Sequence, residues 1–193
     1  MIDDIKKKAL NEDVPIIKDD GLVFLLKVIK ERGCRDILEL GTAVAYSAIS
    51  MASLSKDIRI DTIEKNKDMY DRAIANIQNE GLQDQITVHF CPIEEFRTER
   101  KYDLIFVDAA KAQYMKYTDQ FYDNLKEDGV FFYDNMIFHG MVYDPDSIKN
   151  RGTRALVKKL INFLELMRND RRFDIMFCED VGDGILLASR RKK

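Results

Sequence analysis

Short apolar runs alternate with longer amphipathic stretches along nearly the whole chain. Asp19 to Glu31 carries Leu22, Leu25, Leu26 and Ile29 at helical spacing and closes at Gly33. Ile37 to Leu40 is a short buried strand ending at Gly41, and Ala45 to Leu54 reads as a helix rich in small residues. Ile58 to Ile63 forms a second strand with Glu64 at its tip. Asp68 to Glu80 follows as a helix stopped by Gly81, with Met69, Ala73, Ile74 and Ile77 on one side. Ile86 to Phe90 is a third strand, and Pro92 to Phe96 begins a brief helix.

Leu104 to Val107 and Val130 to Tyr133 give two further strands, separated by a helix from Ala112 to Leu125 and a turn at Asp128-Gly129. Met136 to Asn150 has no clear periodicity and reads as a loop. Thr153 to Asn169 is a long helix whose stripe is Leu156, Leu160, Phe163, Leu164 and Met167. Phe173 to Cys178 and Gly184 to Ser189 are strands around Val181-Gly182-Asp183-Gly184, a hairpin signal. Such β/α alternation implies an α/β fold with a parallel sheet and right-handed crossovers. The hairpin adds one antiparallel strand at or near an edge. No linker or repeat divides residues 1–193, so one domain with a helical N-terminal segment, 1–33, is expected.

The 193 residues suffice for a core without disulfides. Cys34, Cys91 and Cys178 show no paired spacing, which argues against a disulfide framework or zinc site and for a reducing, cytoplasmic setting. No apolar run approaches the roughly 18 residues of a membrane span, and Met1-Ile2-Asp3-Asp4 is acidic where a signal peptide is basic. Net charge is −3, so the molecule as a whole has no basic field. Basic residues nevertheless gather from Lys149 to Arg172, and the chain ends Arg190-Arg191-Lys192-Lys193. A run of this kind is ordinarily a solvated helix face; the alternative is a phosphate-binding patch.

The chemistry-bearing residues stand at predicted strand ends. Asp108 follows Val107, and Asp134-Asn135 follows Tyr133. If the two strands are neighbours, these groups converge at their carboxyl ends, where open α/β sheets bind ligands. Two carboxylates and an amide oxygen suit a hard cation such as Mg²⁺, and Lys111 stands one turn beyond Asp108, within reach of a proton there. Helix capping is the plain alternative for each of the three. The turn Gly41-Thr42-Ala43-Val44-Ala45-Tyr46 lacks the further glycines of a dinucleotide fingerprint, which counts against a nicotinamide dehydrogenase. A ligand without phosphates, such as S-adenosylmethionine, does not need them. Glu64 is placed to accept ribose hydroxyls, or is simply an exposed acid beside Lys65. His89 reads as structural, His139 lies near the proposed site, and Tyr114, Tyr117 and Tyr122 read as packing.

Ile37-Leu38-Glu39-Leu40-Gly41-Thr42-Ala43 with Tyr46-Ser47, Thr62-Ile63-Glu64, Phe106 to Lys111, and Asp134-Asn135 together resemble the cation-dependent class I O-methyltransferases, which include the catechol and caffeoyl-CoA enzymes. Val14-Pro15-Ile16, Gln113-Tyr114, Phe138 to Val142, and Val181 to Gly184 are most similar to the bacterial tRNA 5-hydroxyuridine methyltransferases within that family. The resemblance implies a Rossmann-like, seven-stranded sheet of order 3-2-1-4-5-7-6 and commonly a homodimer. It implies Mg²⁺ held by Asp108, Asp134 and Asn135, with Lys111 as general base. Glu39, Gly41 and Ser47 would line the methionine part of S-adenosylmethionine and Glu64 its ribose. Ile17, Pro92 and Ile93 would border the cofactor, and Asp108 would lie near its amino group.

On that reading the acceptor is the 5-hydroxyl of 5-hydroxyuridine at the tRNA wobble position, or else a small catechol-like hydroxyl compound. Arg151 and Arg154 would hold anticodon-loop phosphates, with a minor substrate role for His139. Three departures are visible. Ala45 replaces a glycine and is expected to narrow the methionine end of the pocket. Ala110 replaces a second acid common in the plant enzymes, which argues against a caffeoyl-CoA substrate. The chain begins later than the family's usual start, so an N-terminal helix used for dimer or substrate contacts is expected to be missing.

Overall fold

Runs rich in Ile, Leu, Val and Phe, buried on both faces in the central strands and partly exposed in the two edge strands, form seven strands of one sheet in the computed structural model, which describes residues 2–192. Met1 and Lys193, the outermost residues of the two terminal charge readings, lie outside the described residues. The elements run α1 (Ile2–Asn11), α2 (Asp19–Arg32), β1 (Asp36–Leu40), α3 (Tyr46–Ala52), β2 (Arg59–Glu64), α4 (Lys67–Asn79) and β3 (Ile86–Phe90). They continue through β4 (Tyr102–Val107), α5 (Tyr114–Phe121), β5 (Leu125–Tyr133), α6 (Arg151–Asn169), β6 (Phe173–Cys178) and β7 (Ile185–Arg190). The strand order is β3-β2-β1-β4-β5-β7-β6, as expected, and β7 pairs antiparallel with both its neighbours.

Alternation along each strand divides the core between two helical layers. Ile37, Leu104, Phe106, Val130 and Phe132 face α2, α3 and α4. Leu38, Leu40, Ile105, Val107, Phe131 and Tyr133 face α5 and α6. Burying each such side chain stabilises the fold by roughly 1.5–3 kcal/mol before entropy is counted. On α6 the buried stripe is Val157, Leu160, Phe163, Leu164 and Met167, with Leu156 half-buried at its margin.

Register fixes the site. Leu40 pairs with Ile63 on one side and Val107 on the other, and Val107 pairs with Tyr133. The residues that follow, Gly41, Glu64, Asp108 and Asp134, therefore stand in one row at the carboxyl ends of four adjacent parallel strands. Backbone bonds carry the row one step past the strands: Gly41 N–H to the Ile63 carbonyl at 3.2 Å and Asp108 N–H to the Leu40 carbonyl at 3.1 Å.

The turn expected at Asp128-Gly129 falls at an irregularity of β5: Leu125 pairs with Tyr102 but Val130 with Leu104, so the chain folds up between them instead of running extended. A Cβ on Gly129 would lie 2.7 Å from the Leu125 side chain and 3.0 Å from the Lys126 carbonyl oxygen, which explains glycine there. Three other local expectations are corrected. The helix expected from Ala112 to Leu125 is shorter, with 3₁₀ turns at Lys111–Gln113 and Tyr122–Asn124 on either side of α5. The loop 136–150 contains two more such turns, Met141–Tyr143 and Pro145–Ser147. Asn150 caps α6 by accepting the Thr153 N–H at 2.9 Å, so that helix starts two residues before Thr153.

Candidate active site

A cavity of about 330 Å³ opens above this row of strand ends. Of the residues singled out from sequence, Ile17, Gly41, Ser47, Glu64, Ile93, Asp108, Lys111 and Asn135 line it. Glu39, Pro92, Asp134, His139, Arg151 and Arg154 do not.

At the β1/β2 corner the chain turns tightly. Gly41 has φ +103°, and a Cβ there would run into the carbonyl oxygen of Asp108. Glycine is required because the turn packs against the end of β4, in addition to bordering the cavity. Ala43 and Ala45 also take left-handed φ, +45° and +65°, at a cost of roughly 1–2 kcal/mol each. Ala45 is wholly buried and does not line the cavity, so its methyl does not narrow the pocket as expected. Glu64 accepts the Ala43 N–H at 2.9 Å with one oxygen and the Asn66 N–H at 2.7 Å with the other. These bonds fix its carboxylate at the rim while leaving lone pairs for a diol.

Glu39 is set back behind the cavity wall. It shares no face with Leu38 and Leu40 and points instead toward α3, fully buried. Ser47 Oγ and Thr62 Oγ1 each donate to its carboxyl at 2.5 Å, and Thr42 Oγ1 lies 2.6 Å from Thr62 Oγ1. Burial pushes the Glu39 carboxyl up to about 8, against the pull of its two hydroxyl donors. Glu39 thus stands directly behind Ser47, which it holds and which lines the cavity. Pro92 likewise stands behind Ile93, as the residue before the 3₁₀ turn Ile93–Glu95.

The β4/β5 corner has a different character. Asp134 is buried and Asp108 half-buried against the cavity. Burial raises the pKa of both carboxyls, Asp108 further raises that of Asp134, and Lys111 opposes the rise in each. The carboxylates thus face one another in a poorly solvated place. Asn135 has φ +61°, and its N–H donates to Asp134 Oδ1 at 2.7 Å. Tyr114, buried on α5, donates its hydroxyl to the Asp134 carbonyl at 3.0 Å, so this tyrosine fixes the site's backbone. No three His, Cys, Asp or Glu side chains gather as a metal site among the described residues. Two mutually repelling carboxylates beside an amide form an oxygen donor set that still fits a hard divalent cation, with other positions left to water or substrate.

Lys111 Nζ stands 5.7 Å from the centre of the Phe138 ring. Phe138, His139 and Gly140 are consecutive left-handed residues, φ +44°, +56° and +79°. Arg154 is half-buried and spends its Nε, at 2.8 Å, and an Nη on the Ile148 carbonyl. It closes the loop against α6 rather than standing free for phosphate. Arg151 is exposed at the first turn of that helix.

Sequence reasoning missed several lining residues. Tyr117, read as packing, borders the cavity, and its hydroxyl donates to Glu94 Oε1 at 3.3 Å. Glu94 borders it too, just past the end of β3, a signal available by analogy with Glu64. Pro15 and Ile16 cover the other side as a coil strap between α1 and α2. Outside the cavity, His89 Nε2 lies 2.7 Å from Asp61 Oδ1, which is a structural role. No helix among the described residues is long and apolar enough to cross a membrane.

A strand order of 3-2-1-4-5-7-6 with one antiparallel strand, and a cavity over the carboxyl ends of its central strands, defines a Rossmann-like methyltransferase fold. The O-methyltransferase family model matches residues 3–192, and the chain belongs to that family. It is 30% identical over 183 residues to caffeoyl-CoA O-methyltransferase 3 of Nicotiana tabacum, covering 89% of this chain and 74% of that one. A solved structure from Staphylococcus aureus, assigned as a caffeoyl-CoA O-methyltransferase, is 30% identical with a TM-score of 0.94, covering 98% of this chain and 92% of the other. An O-methyltransferase from Bacillus cereus in complex with SAH shares the fold, with a TM-score of 0.83 at 23% identity and coverage of 98% and 90%.

Proposed function

We propose that this protein transfers a methyl group from S-adenosylmethionine to a hydroxyl that has a second oxygen on the adjacent ring carbon. The observation that carries the reading is the single row formed by Gly41, Glu64, Asp108 and Asp134 at adjacent strand ends, with Gly41, Glu64, Asp108 and the neighbouring Asn135 lining one cavity. Glu64 receives the ribose diol. Ser47, held by Glu39, meets the methionine end, and Glu94 accepts from the adenine amine with Tyr117 beside it. Ile17 and Ile93 supply apolar walls. With the cofactor held in this way its sulfonium would lie between the two corners of the sheet, and approach geometry would supply a large part of the acceleration.

Asp108, Asp134 and Asn135 would hold a divalent cation. When bound, it supplies positive charge that favours the ionised acceptor hydroxyl and aligns both ring oxygens. Lys111 receives the hydroxyl proton at its Nζ, and Phe138 stands against that side chain. Left-handed backbone at Asn135 and from Phe138 to Gly140 is the kind of strain that function preserves.

For the acceptor we favour 5-hydroxyuridine at the tRNA wobble position. The motifs Phe138 to Val142 and Val181 to Gly184 support this choice, as do exposed Lys149 and Arg151 at the end of the loop beside the cavity. Single-stranded loops are where RNA readers usually find unstacked bases. The second reading, a small catechol-like acceptor, is favoured by the engagement of Arg154 with Ile148. Methyl transfer to tRNA bearing unmethylated 5-hydroxyuridine, run beside transfer to catechol, tests the assignment. Transfer to tRNA is the expected result. Transfer to catechol alone replaces the acceptor and keeps the reaction, and transfer to neither, in the presence of Mg²⁺, rejects both.

A further inference from the structure

Asp183 has no part in the chemistry above, yet it is among the most completely buried acids of the molecule, 3% exposed. Its two oxygens accept one backbone N–H, that of His139, at 2.9 and 3.0 Å. His139 is the middle residue of the left-handed run Phe138-His139-Gly140. The same hairpin also grips the start of that segment. Met136 N–H donates to the Gly184 carbonyl at 2.9 Å and Ile137 N–H to the Asp183 carbonyl at 2.8 Å. Three backbone donors of the loop that leads away from Asn135 are thus bound by two consecutive residues. A run of three left-handed residues, two of them not glycine, does not persist without such restraint.

The hairpin is tied on its other side to the strap that covers the cavity. Asp20, at the start of α2, accepts the Gly182 N–H at 2.8 Å. Lys18, just after the strap, reaches both the Gly182 carbonyl and Asp183 Oδ1 at 3.5 Å. A Cβ on Gly182 would stand 3.4 Å from Gly21 Cα, so hairpin and helix touch backbone to backbone. The strap's backbone anchor is the Val14 N–H bond to the Ala9 carbonyl at 2.9 Å, while Val14 and Ile17 bury their side chains in the core.

We infer that Asp183 is a positioning residue: it holds the Phe138–Gly140 segment in the shape that presents Phe138 to Lys111. Through Gly182, Asp20 and Lys18 it links that acceptor-side segment to the Pro15–Ile17 strap on the cofactor side. A ligand that seats the strap tightens the acceptor loop through this latch, and the loop in turn steadies the strap, because such coupling is reciprocal. The cofactor half of the inference rests on the function proposed above; the hold of Asp183 on His139 does not.

Backbone hydrogen exchange in the full chain, read at residues 12–18 and 136–143 with and without S-adenosylhomocysteine, tests both halves. In the unaltered protein the compound should slow exchange in the strap and in the loop. In Asp183→Ala, which removes the acceptor, loop exchange without ligand should rise about tenfold or more while the central strands keep their protection. In Asp20→Ala, whose side chain is exposed and whose replacement leaves Asp183 in place, the compound should still protect the strap but protect the loop several-fold less. Unchanged loop exchange in Asp183→Ala overturns the positioning role. Equal loop protection in Asp20→Ala and the unaltered protein overturns the link. If the compound fails to bind the unaltered protein, the cofactor reading falls, while the ligand-free comparison still decides the role of Asp183. Should Asp183→Ala not fold, Lys18→Met and Asp20→Ala carry the test, since both alter the surface side of the latch.

Discussion

The two corners of the sheet that border the cavity are built from the same kinds of residue and arrive at opposite electrostatic states. At the β1/β2 corner each acid is satisfied by groups of the protein. Glu64 holds two backbone N–H groups, and Glu39 takes two hydroxyls in a sealed niche. At the β4/β5 corner burial raises the pKa of Asp108 and of Asp134, Asp108 raises that of Asp134 further, and the partial relief comes from Lys111 on both and from the Asn135 N–H on Asp134. The first corner is a shaped wall that recognises by fit. The second sets two acids where burial disfavours their charged forms, the kind of place where perturbed groups and charge-dependent chemistry are found together.

The largest effect should follow from emptying the second corner. Asp134→Ala is expected to abolish methyl transfer in the presence of Mg²⁺ while leaving S-adenosylhomocysteine binding within a few-fold by calorimetry. Asp134 does not line the cavity, so removing it spares the cofactor walls. Full activity in this variant would merge the two corners into one binding surface and refute the division.

Next comes the joint between the corners. Gly41→Ala puts a methyl against the Asp108 carbonyl at a φ of +103°, with a cost on the order of 3 kcal/mol. The variant should melt at a lower temperature and bind S-adenosylhomocysteine more weakly. An unaltered melting point would mean that the β1 turn and the β4 end do not depend on each other.

A somewhat smaller effect should appear as a pH dependence of the first corner. The Glu39 carboxyl titrates at about 8 in the folded protein and near 4.3 when unfolded. The folded state therefore keeps a proton that the unfolded state releases. This contribution to stability is intact below the unfolded value and declines as pH rises toward and through about 8. Glu39→Gln, which carries no titrating proton, should flatten the loss of stability between pH 5 and 8 in ligand-free denaturation, an effect of a few kcal/mol at most. If the pH profiles of variant and parent coincide, Glu39 is charged when folded and the niche is not sealed.

How much of this contrast could be read beforehand follows from what each residue depends on. Asp108, Asp134 and Asn135 were legible because strand ends and neighbouring strands can be inferred from apolar runs and crossover rules. The retreat of Glu39 was legible in principle, since alternation puts it opposite Leu38 and Leu40 and so toward α3. The cover that Pro15 and Ile16 give and the place of Tyr117 at the cavity were not. Their position depends on how α1 and α5 pack across the sheet, which no local pattern records. Asp128-Gly129 marked a place where β5 departs from regular pairing, because a strand irregularity and a turn draw on the same residues.

The smallest effect concerns the basic residues outside both corners, where the structure parts two arginines that sequence treated alike. Arg154 closes the loop by donating to Ile148, and Arg151 does not share that carbonyl. Arg154→Ala should cost about 1–2 kcal/mol of stability through the lost hydrogen bonds to a charged donor, with the salt dependence of tRNA binding little changed. Arg151→Ala should leave stability within about 0.5 kcal/mol and reduce the slope of log affinity against log salt by roughly 0.7, one single-strand phosphate contact. A fall in slope for Arg154 alone would show that its guanidinium leaves Ile148 to meet phosphate. Unchanged slopes in both variants would remove this helix face from the tRNA footprint and turn attention to the small-molecule acceptor.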